Sequence, residues 1–468
     1  MLELRPYQKA DVNKLRPLNA VAILNQQRTG KTPTSLILCQ AWECKKPLIV
    51  CPGSMLYKWK REFENWLKLP CIVLDGTPTQ RAKKLEQWTY NIGLCITYGT
   101  LKLINRTDKE TGRIKKTGEL LNIIKQHPDC VIVDEWHRAR NPKTLTAKSL
   151  LKLSDYVPKR IALTGTPTYG KDLDIYTLIK FLYPDKVGTY TQFKEKHCLF
   201  TPVFVPGKGQ IFKPSGIKPE STAKIQRFLS KIAVQRKQQD PEVMPWLPDK
   251  PIPEIIALPL SPLQQKMLNE LEKYFETDNI IVQGILDRII RYRQILNEPN
   301  LLGNMTTLSP KTNWILGYLE DYMESPTIFF SNFTSYLKLL ETYLKTRFPD
   351  LKYALIVGET PLEIRDQLVQ KFQNGELDFL FINIQTGKEG LTLDRAETLV
   401  FIDQYPPAGD IDQAIERLTA TTPERAQIPK RVIKLMMENS LEEEIENAIQ
   451  EGLNMTEAYN SFVKYLNL

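Results

Sequence analysis

The chain has 468 residues, of which 42% are hydrophobic and 25% charged, with a net charge of +9 and seven cysteines. Two or three domains with ample core are expected at that length. No run of about eighteen apolar residues and no apolar stretch in MLELRPYQKADVNK is present, so neither a membrane span nor a secretory leader is expected. The cysteines at 39, 44, 51, 71, 95, 130 and 198 form no C-x-x-C pair. Reduced thiols are therefore expected and a zinc cluster is not. The positive excess suits a polyanionic partner without establishing one.

In chain order, short apolar runs alternate with segments of helical period. The first half carries AVAILN (20–25), LIVCP (48–52), GLCITY (93–98), CVIVDE (130–135) and RIALTG (160–165). The second carries TIFFSN (327–332), YALIVGE (353–359), FLFINI (379–384), TLVFID (398–403) and RVIKLMM (431–437). Such strands, uninterrupted by polar residues, belong to parallel sheets covered on both faces, so the fold class is α/β with two lobes. SMLYKWKREFENWL, TSYLKLLETYLKTRF and PLEIRDQLVQKFQN place apolar residues three and four apart, as helices do. Trp59, Phe63 and Trp66 in the first of these read as a core stripe rather than a base-stacking platform. Residues 200–220 read as a hairpin around PGKGQ, and the proline-rich 241–262 as a linker. The domains are then 1–240, the linker 241–262, and 263–468 ending in a helix that reads equally well as packed or exposed.

Polar clusters follow the strands, where open α/β sheets place their active sites. NQQRTGKT lies between a strand and a helix, the context of a phosphate loop. Lys31 would reach the β/γ-phosphates and Thr32 would help hold Mg²⁺. Asn25 replaces the first glycine of the strict pattern, and alone the segment reads equally as a basic turn before a helix. Asp134 and Glu135 end a strand, where one carboxylate binds Mg²⁺ and its neighbour activates water. Lys31 followed by Asp-Glu-x-His indicates an NTPase. Thr164 and Thr166 end a further strand.

Taken together, LRPYQ (4–8), QRTGKT, LIVCPGSMLYKWKREF, ITYGTL, DEWHRARNPKT, LTGTP, LPDKP, RQILNEPNLLG, TGKEGLTLDRAETLVFID and DQAIERL resemble the Swi/Snf family of DNA-dependent ATPases in helicase superfamily two. The resemblance runs from Leu4 to Leu435. It implies two RecA-like lobes, the cofactors ATP and Mg²⁺, and duplex DNA as partner, held through its backbone. In that reading Arg5, Gln8 (the base-reading residue), Arg28, Thr29, Gly30, Lys31, Thr32, Gly387, Gln413 and Arg417 bind the nucleotide. Lys31, Asp134, Glu135 and Arg417 are catalytic, with Thr32 and Asp134 at the metal. Ser54, Lys58, Thr97, Thr100, Ser331, Asn332, Thr386 and Lys388 fall in motifs that contact DNA. Lys115 and Lys116, with the hairpin lysines Lys208 and Lys213, either meet DNA or are solvated.

Three positions depart from the family pattern. Arg28 stands where the family has a glycine, turned either to phosphate or outward. Ala420 stands at the second arginine of Q-A-x-x-R-x-x-R, so that Arg417 suffices alone, Arg425 from the following loop substitutes for the missing arginine, or the chain hydrolyses slowly. Lys388 replaces a glycine in TGKEGLTL. The short architecture resembles compact phage or bacterial members, implying a cytoplasmic protein; with no oligomerisation signal and no apolar span, a monomer without membrane contact is expected. The expected activity is translocation along duplex DNA, on branched DNA or DNA-bound proteins; strand separation and nucleotide-gated binding without hydrolysis are the alternatives.

Overall fold

Every apolar run read as a strand is one, and in both sheets all neighbouring strands run parallel. The coordinates are those of a computed structural model. They describe residues 3–450 apart from 27, 103, 108–113, 166–174, 206–208, 248–250, 275, 278–279, 282–284, 304–306, 388–390, 392, 404–413 and 416–427. The chain divides into two compact units, Met1–Leu247 and Pro248–Leu468. No helix among the described residues is long and apolar enough to cross a membrane.

Lobe one contains β1 (Ala20–Ile23), β2 (Pro47–Cys51), β3 (Cys71–Val73), β4 (Gly93–Thr97), the hairpin β5 (Ile104–Thr107) and β6 (Ile114–Thr117), β7 (Cys130–Val133), β8 (Lys159–Leu163), the hairpin β9 (Cys198–Val205) and β10 (Gly209–Ile217), and β11 (Ala233–Val234). Seven of these form one sheet in the order β11-β1-β8-β7-β2-β4-β3. Side chains alternate across it: Ala20, Ala22 and Leu24 enter one core, while Val21 and Ile23 enter another. The helix Leu56–Leu67 lays Trp59, Phe63 and Leu67, four residues apart, onto the second core. Trp66 packs beside them, so the stripe is core, as its period suggested. A Cβ on Gly93 would meet the Phe63 ring at 2.8 Å, so the strand has to be bare where the ring crosses it.

Lobe two contains β12 (Pro253–Leu258), the short hairpin β13 (Glu276–Thr277) and β14 (Ile280–Ile281), β15 (Thr327–Ser331), β16 (Tyr353–Ile356), β17 (Phe379–Asn383), β18 (Thr398–Phe401) and β19 (Arg431–Met437). Its six-stranded sheet runs β12-β19-β18-β15-β17-β16. The boundary between the units falls inside the linker expected over 241–262, and the later part of that segment is a strand. The units part at Leu247/Pro248, and Pro253–Leu258 is an edge strand pairing with β19 from Pro253↔Val432 to Leu258↔Met437. A proline is tolerated as the first residue of an edge strand because the missing N–H breaks no ladder.

The helix Leu441–Gln450 is packed rather than exposed. Lys311, wholly buried, donates to Glu442 at 2.6 Å, and Lys434 donates to Glu446 at 3.1 Å. Removing one member of such a buried pair leaves an uncompensated charge, at a cost of about 3–5 kcal/mol.

Candidate active site

The loop after β1 is fixed at its root. Asn25, in place of the expected glycine, is fully buried and its Nδ2 donates to Asp11 Oδ2 at 3.4 Å. Arg236 in turn donates to Asp11 at 2.6 Å. Gln26 N–H donates to the Arg236 carbonyl at 2.8 Å, and Gln238 N–H to Gln26 Oε1 at 2.8 Å, continuing the β1–β11 edge outward.

Arg28 adopts φ +68°, the left-handed conformation that a glycine takes freely and that costs an L-residue about 1–2 kcal/mol. The loop thus keeps a glycine-like backbone although its residue is an arginine, with the side chain partly buried. Thr29 is buried and gives its hydroxyl to the Gln26 carbonyl at 2.8 Å. Gly30 has φ +78°, and a Cβ there would sit 1.9 Å from Gln8 Nε2. Lys31 opens the helix Lys31–Ala41, whose first N–H groups point into the loop. Its Nζ donates to the Gln26 carbonyl at 3.3 Å.

Asp134 follows β7 directly. Burial first, and then the neighbouring Glu135 charge, push its carboxyl up to about 6. The Trp59 indole, which donates to Oδ2 at 2.8 Å, opposes this, as do the Lys31 ammonium and the Glu135 amide. Glu135 is left-handed at φ +53° and its carboxylate lies 3.2 Å from His137 Nδ1. A strained carboxylate beside a buried one is characteristic of a reacting site. The Tyr98 hydroxyl rests on the Asp134 carbonyl and lies 3.3 Å from that of Glu135.

These groups share one edge because parallel strands all end there. The β1 loop, Thr164 after β8, Asp134 and Glu135 after β7, Ser54 after β2 and Thr97 ending β4 lie on successive neighbours in the sheet. At about 4.8 Å per strand, the β1 loop and Asp134 stand on strands about 10 Å apart. Lys31 and Asp134 are close enough for the ammonium to act on the carboxyl. Ser54, Lys58, Thr97 and Thr100 are all partly exposed. Thr97 caps Tyr98–Leu101 by accepting from Thr100 N–H.

In lobe two, Asp403 lies beyond β18. It accepts from Ser331 Oγ at 2.5 Å, Asn332 Nδ2 at 2.6 Å and Asn332 N–H at 3.0 Å, with Arg293 at 3.7 Å. Asn383 Nδ2 donates to the Asn332 carbonyl at 3.0 Å.

A family model described as the SNF2-related domain matches residues 9–301 of this chain. The chain belongs to the SNF2-related family. A second model, the helicase conserved C-terminal domain, matches residues 310–419. The chain is similar to the DNA annealing helicase and endonuclease ZRANB3 of Mus musculus, 25% identical over 433 residues, covering 89% of this chain and 37% of that protein. It is also similar to the DNA repair and recombination protein RAD54-like of Drosophila persimilis, 24% identical over 509 residues, with 94% and 62% covered. The chain thus spans 37% to 62% of the length of these curated relatives. Among solved structures, the Sulfolobus solfataricus SWI2/SNF2 ATPase core in complex with dsDNA aligns over 96% of this chain and 91% of that one, at TM-score 0.44 and 22% identity.

Within this SNF2-family chain several expected residues are engaged by neighbouring groups. Gln8 is only 3% exposed; its Oε1 accepts from Arg5 N–H at 2.8 Å and its Nε2 donates to the Thr29 carbonyl at 3.2 Å. It ties the first helix to the loop rather than standing open to a base. The Arg5 guanidinium lies over the Trp246 ring at 5.8 Å. Ser331 is 1% exposed and its hydroxyl donates to Asp403. Thr386 is buried too, in the turn Ile384–Gly387 that also holds Gly387. Gln413, Arg417, Lys388, Thr166, Ala420, Arg425 and Lys208 lie outside the described residues, as do the side chains of Lys115, Lys116 and Lys213.

Motif reading passed over Trp59 and Tyr98 as site residues. Their helical and strand-end positions gave a signal for burial, and none for an indole and a phenol that hold Asp134.

Proposed function

We propose that this SNF2-family chain is a DNA-stimulated ATPase that moves along duplex DNA. The observation that carries the reading is the single sheet edge holding the Gly30–Lys31 loop, the Asp134–Glu135 pair and the exposed Ser54–Thr97 end. The donor set suits a nucleotide with a hard cation. Amides at a helix start and Lys31 fit phosphates, and the Thr32 hydroxyl with the Asp134 carboxylate fits Mg²⁺. A buried carboxyl pushed up to about 6 is one that a cation would return to its ionised form. Bound Mg²⁺ supplies neutralisation of the phosphate oxygens.

Lys31 leaves the Gln26 carbonyl for the phosphates, and the left-handed turns at Arg28 and Gly30 keep the loop open to receive them. Asp134, held by Trp59, would be the carboxylate that binds the metal. Glu135, turned out of the strand by its left-handed backbone, takes the proton of the attacking water. Ser54, Lys58, Thr97 and Thr100 grip one DNA strand through its phosphates, which makes binding insensitive to sequence and steeply dependent on salt. Tyr98 bonds the backbone of the carboxylate pair from the turn that carries Thr97 and Thr100. Occupancy of that turn by DNA is thereby felt at Glu135.

The test is ATP turnover with no DNA, linear duplex and single strands, beside Lys31→Ala. Duplex stimulation lost in Lys31→Ala by about 10² or more is expected. Turnover no higher than the variant's, with ATP still bound, would make the protein a switch instead.

One observation favours strand separation as a second reading. Phe200, Phe204 and Phe212 are 40%, 76% and 67% exposed, and the register Phe204↔Gln210 and Phe212↔Pro202 sets them on one face of the β9–β10 ribbon. Exposed aromatic rings on a ribbon can stack on unpaired bases. Displacement of a forked duplex, lost in the Phe204→Ala/Phe212→Ala double variant while duplex-stimulated turnover persists, would support it.

A further inference from the structure

Lobe one carries a second cluster of reactive side chains at the end of its sheet away from the nucleotide loop. The Sγ atoms of Cys39, Cys44 and Cys130 all lie within 4.8 Å of one another, and all three are free thiols. The three meet in space although no C-x-x-C spacing announces them. Three sulfurs around one ion at about 2.3 Å sit about 4 Å from each other, so the cluster closes on a cation with shifts of a few tenths of an ångström per side chain.

Backbone structure sets the three in place. Cys39 is in the last turns of the helix that Lys31 begins. Glu43 is left-handed at φ +56°, which reverses the chain and lets Cys44 N–H donate to the Cys39 carbonyl at 3.2 Å. Two residues earlier in sequence than the strand interior, Asp129 accepts from the amides of Lys45 at 2.5 Å and Lys46 at 3.0 Å. That clamp holds the reversed chain against the start of β7, where Cys130 is the first residue. Cys39 and Cys130 are buried, whereas Cys44 is partly exposed and leaves one side open for entry.

The charge balance also fits. Lys159 pairs in register with Cys130, and its ammonium is held at the Trp42 carbonyl, next to the cluster. Three thiolates around a divalent ion leave one net negative charge, which that ammonium offsets. Thiolates without carboxylate or imidazole partners select soft ions over Mg²⁺ or Ca²⁺. The remaining close pair, Cys71 and Cys95 at 3.4 Å, offers two sulfurs only, both buried.

We propose that Cys39, Cys44 and Cys130 form a three-thiolate site for one soft d¹⁰ cation of the zinc, cadmium or copper(I) class. Binding there displaces whatever protons the three sulfurs still carry and changes no oxidation state. The ion would tie the C-terminal end of the helix begun by Lys31 to the start of β7, the strand that Asp134 follows, bracing both elements from behind. This proposal is independent of the motor reading, since its readouts are spectroscopic and structural.

The experiment titrates the full chain, reduced and stripped of metal, with Cd²⁺ alone. The expected result is a sulfur-to-cadmium charge-transfer band saturating at one equivalent, with a rise in Tm. Mass-spectrometric mapping after alkylation should show Cys44 protected by Cd²⁺ in the native protein. Cys44→Ser should lose the band and the Tm rise; because Cys44 is partly exposed, the variant should fold, which its metal-free Tm verifies. A band that climbs without saturating, a band retained in Cys44→Ser, or Cys44 alkylated equally with and without Cd²⁺ would each overturn the site and leave the thiols as core filling. If Cys44→Ser does not fold, the stoichiometry and protection of the wild-type chain decide alone.

Discussion

Asp134 and Asp403 occupy corresponding places, each just past a parallel strand in its own lobe and each buried, at 5% and 3% exposure. Their surroundings differ. Asp403 receives a hydroxyl, a side-chain amide and a backbone N–H, with a guanidinium at 3.7 Å. Asp134 receives one indole N–H and the amide of its own neighbour, and faces the Glu135 charge. A buried carboxylate surrounded by donors is part of the scaffold. One with few donors, pushed up to about 6, is available to an incoming cation. Burial is common to both, so the number of donors is what sets the two carboxylates apart.

The largest expected effect is on chemistry. Asp134→Asn should lower DNA-stimulated turnover by about 10²–10³ or more while the chain stays folded, and retention of turnover within tenfold would break the assignment. The corresponding change in lobe two acts on stability instead. Asp403→Ala removes the acceptor of the Ser331 hydroxyl and of the Asn332 amides, and should cost about 2–4 kcal/mol, read as a lower urea midpoint for that lobe.

A pH measurement sharpens the contrast. Between its ordinary 3.8 and about 6, folded Asp134 keeps a proton that the unfolded chain has released. The contribution of Asp134 to the stability of the metal-free chain should therefore be greatest below about pH 4, fall as pH rises to about 6, and level off above. Asp134→Asn should remove that component of the profile; parallel wild-type and variant curves would refute it. The smallest effect belongs to the loop. Arg28→Gly relieves a left-handed arginine but frees the unfolded chain, so stability should change by about 1 kcal/mol or less. A rise in KM for ATP in that variant would assign the guanidinium to phosphate.

The parallel strands were legible because two-sided burial writes unbroken apolar runs, and Lys31 with Asp134 and Glu135 because strand, loop and helix order is local. PIPEIIAL was not legible as a strand: half-exposed edge strands need no strong pattern, and its prolines read as a break. Ser331 carried the residue type of a phosphate ligand, but its burial depends on Asp403, 72 residues later. The left-handed Glu135 and the meeting of Cys39, Cys44 and Cys130 are tertiary outcomes that spacing does not encode.

The pairing of β12 with β19 also has a bearing on how the protein is made. Lobe one has its last sheet strand once Val234 has emerged, before any of lobe two exists. Pro253–Leu258 then leaves the ribosome at once, yet its partner begins about 180 residues later. At about 5–20 residues per second that is a wait of roughly 10 to 35 seconds. During synthesis a finished first lobe is tethered to a bare β edge carrying Ile255 and Ile256. A nascent chain of this kind invites a chaperone at that segment.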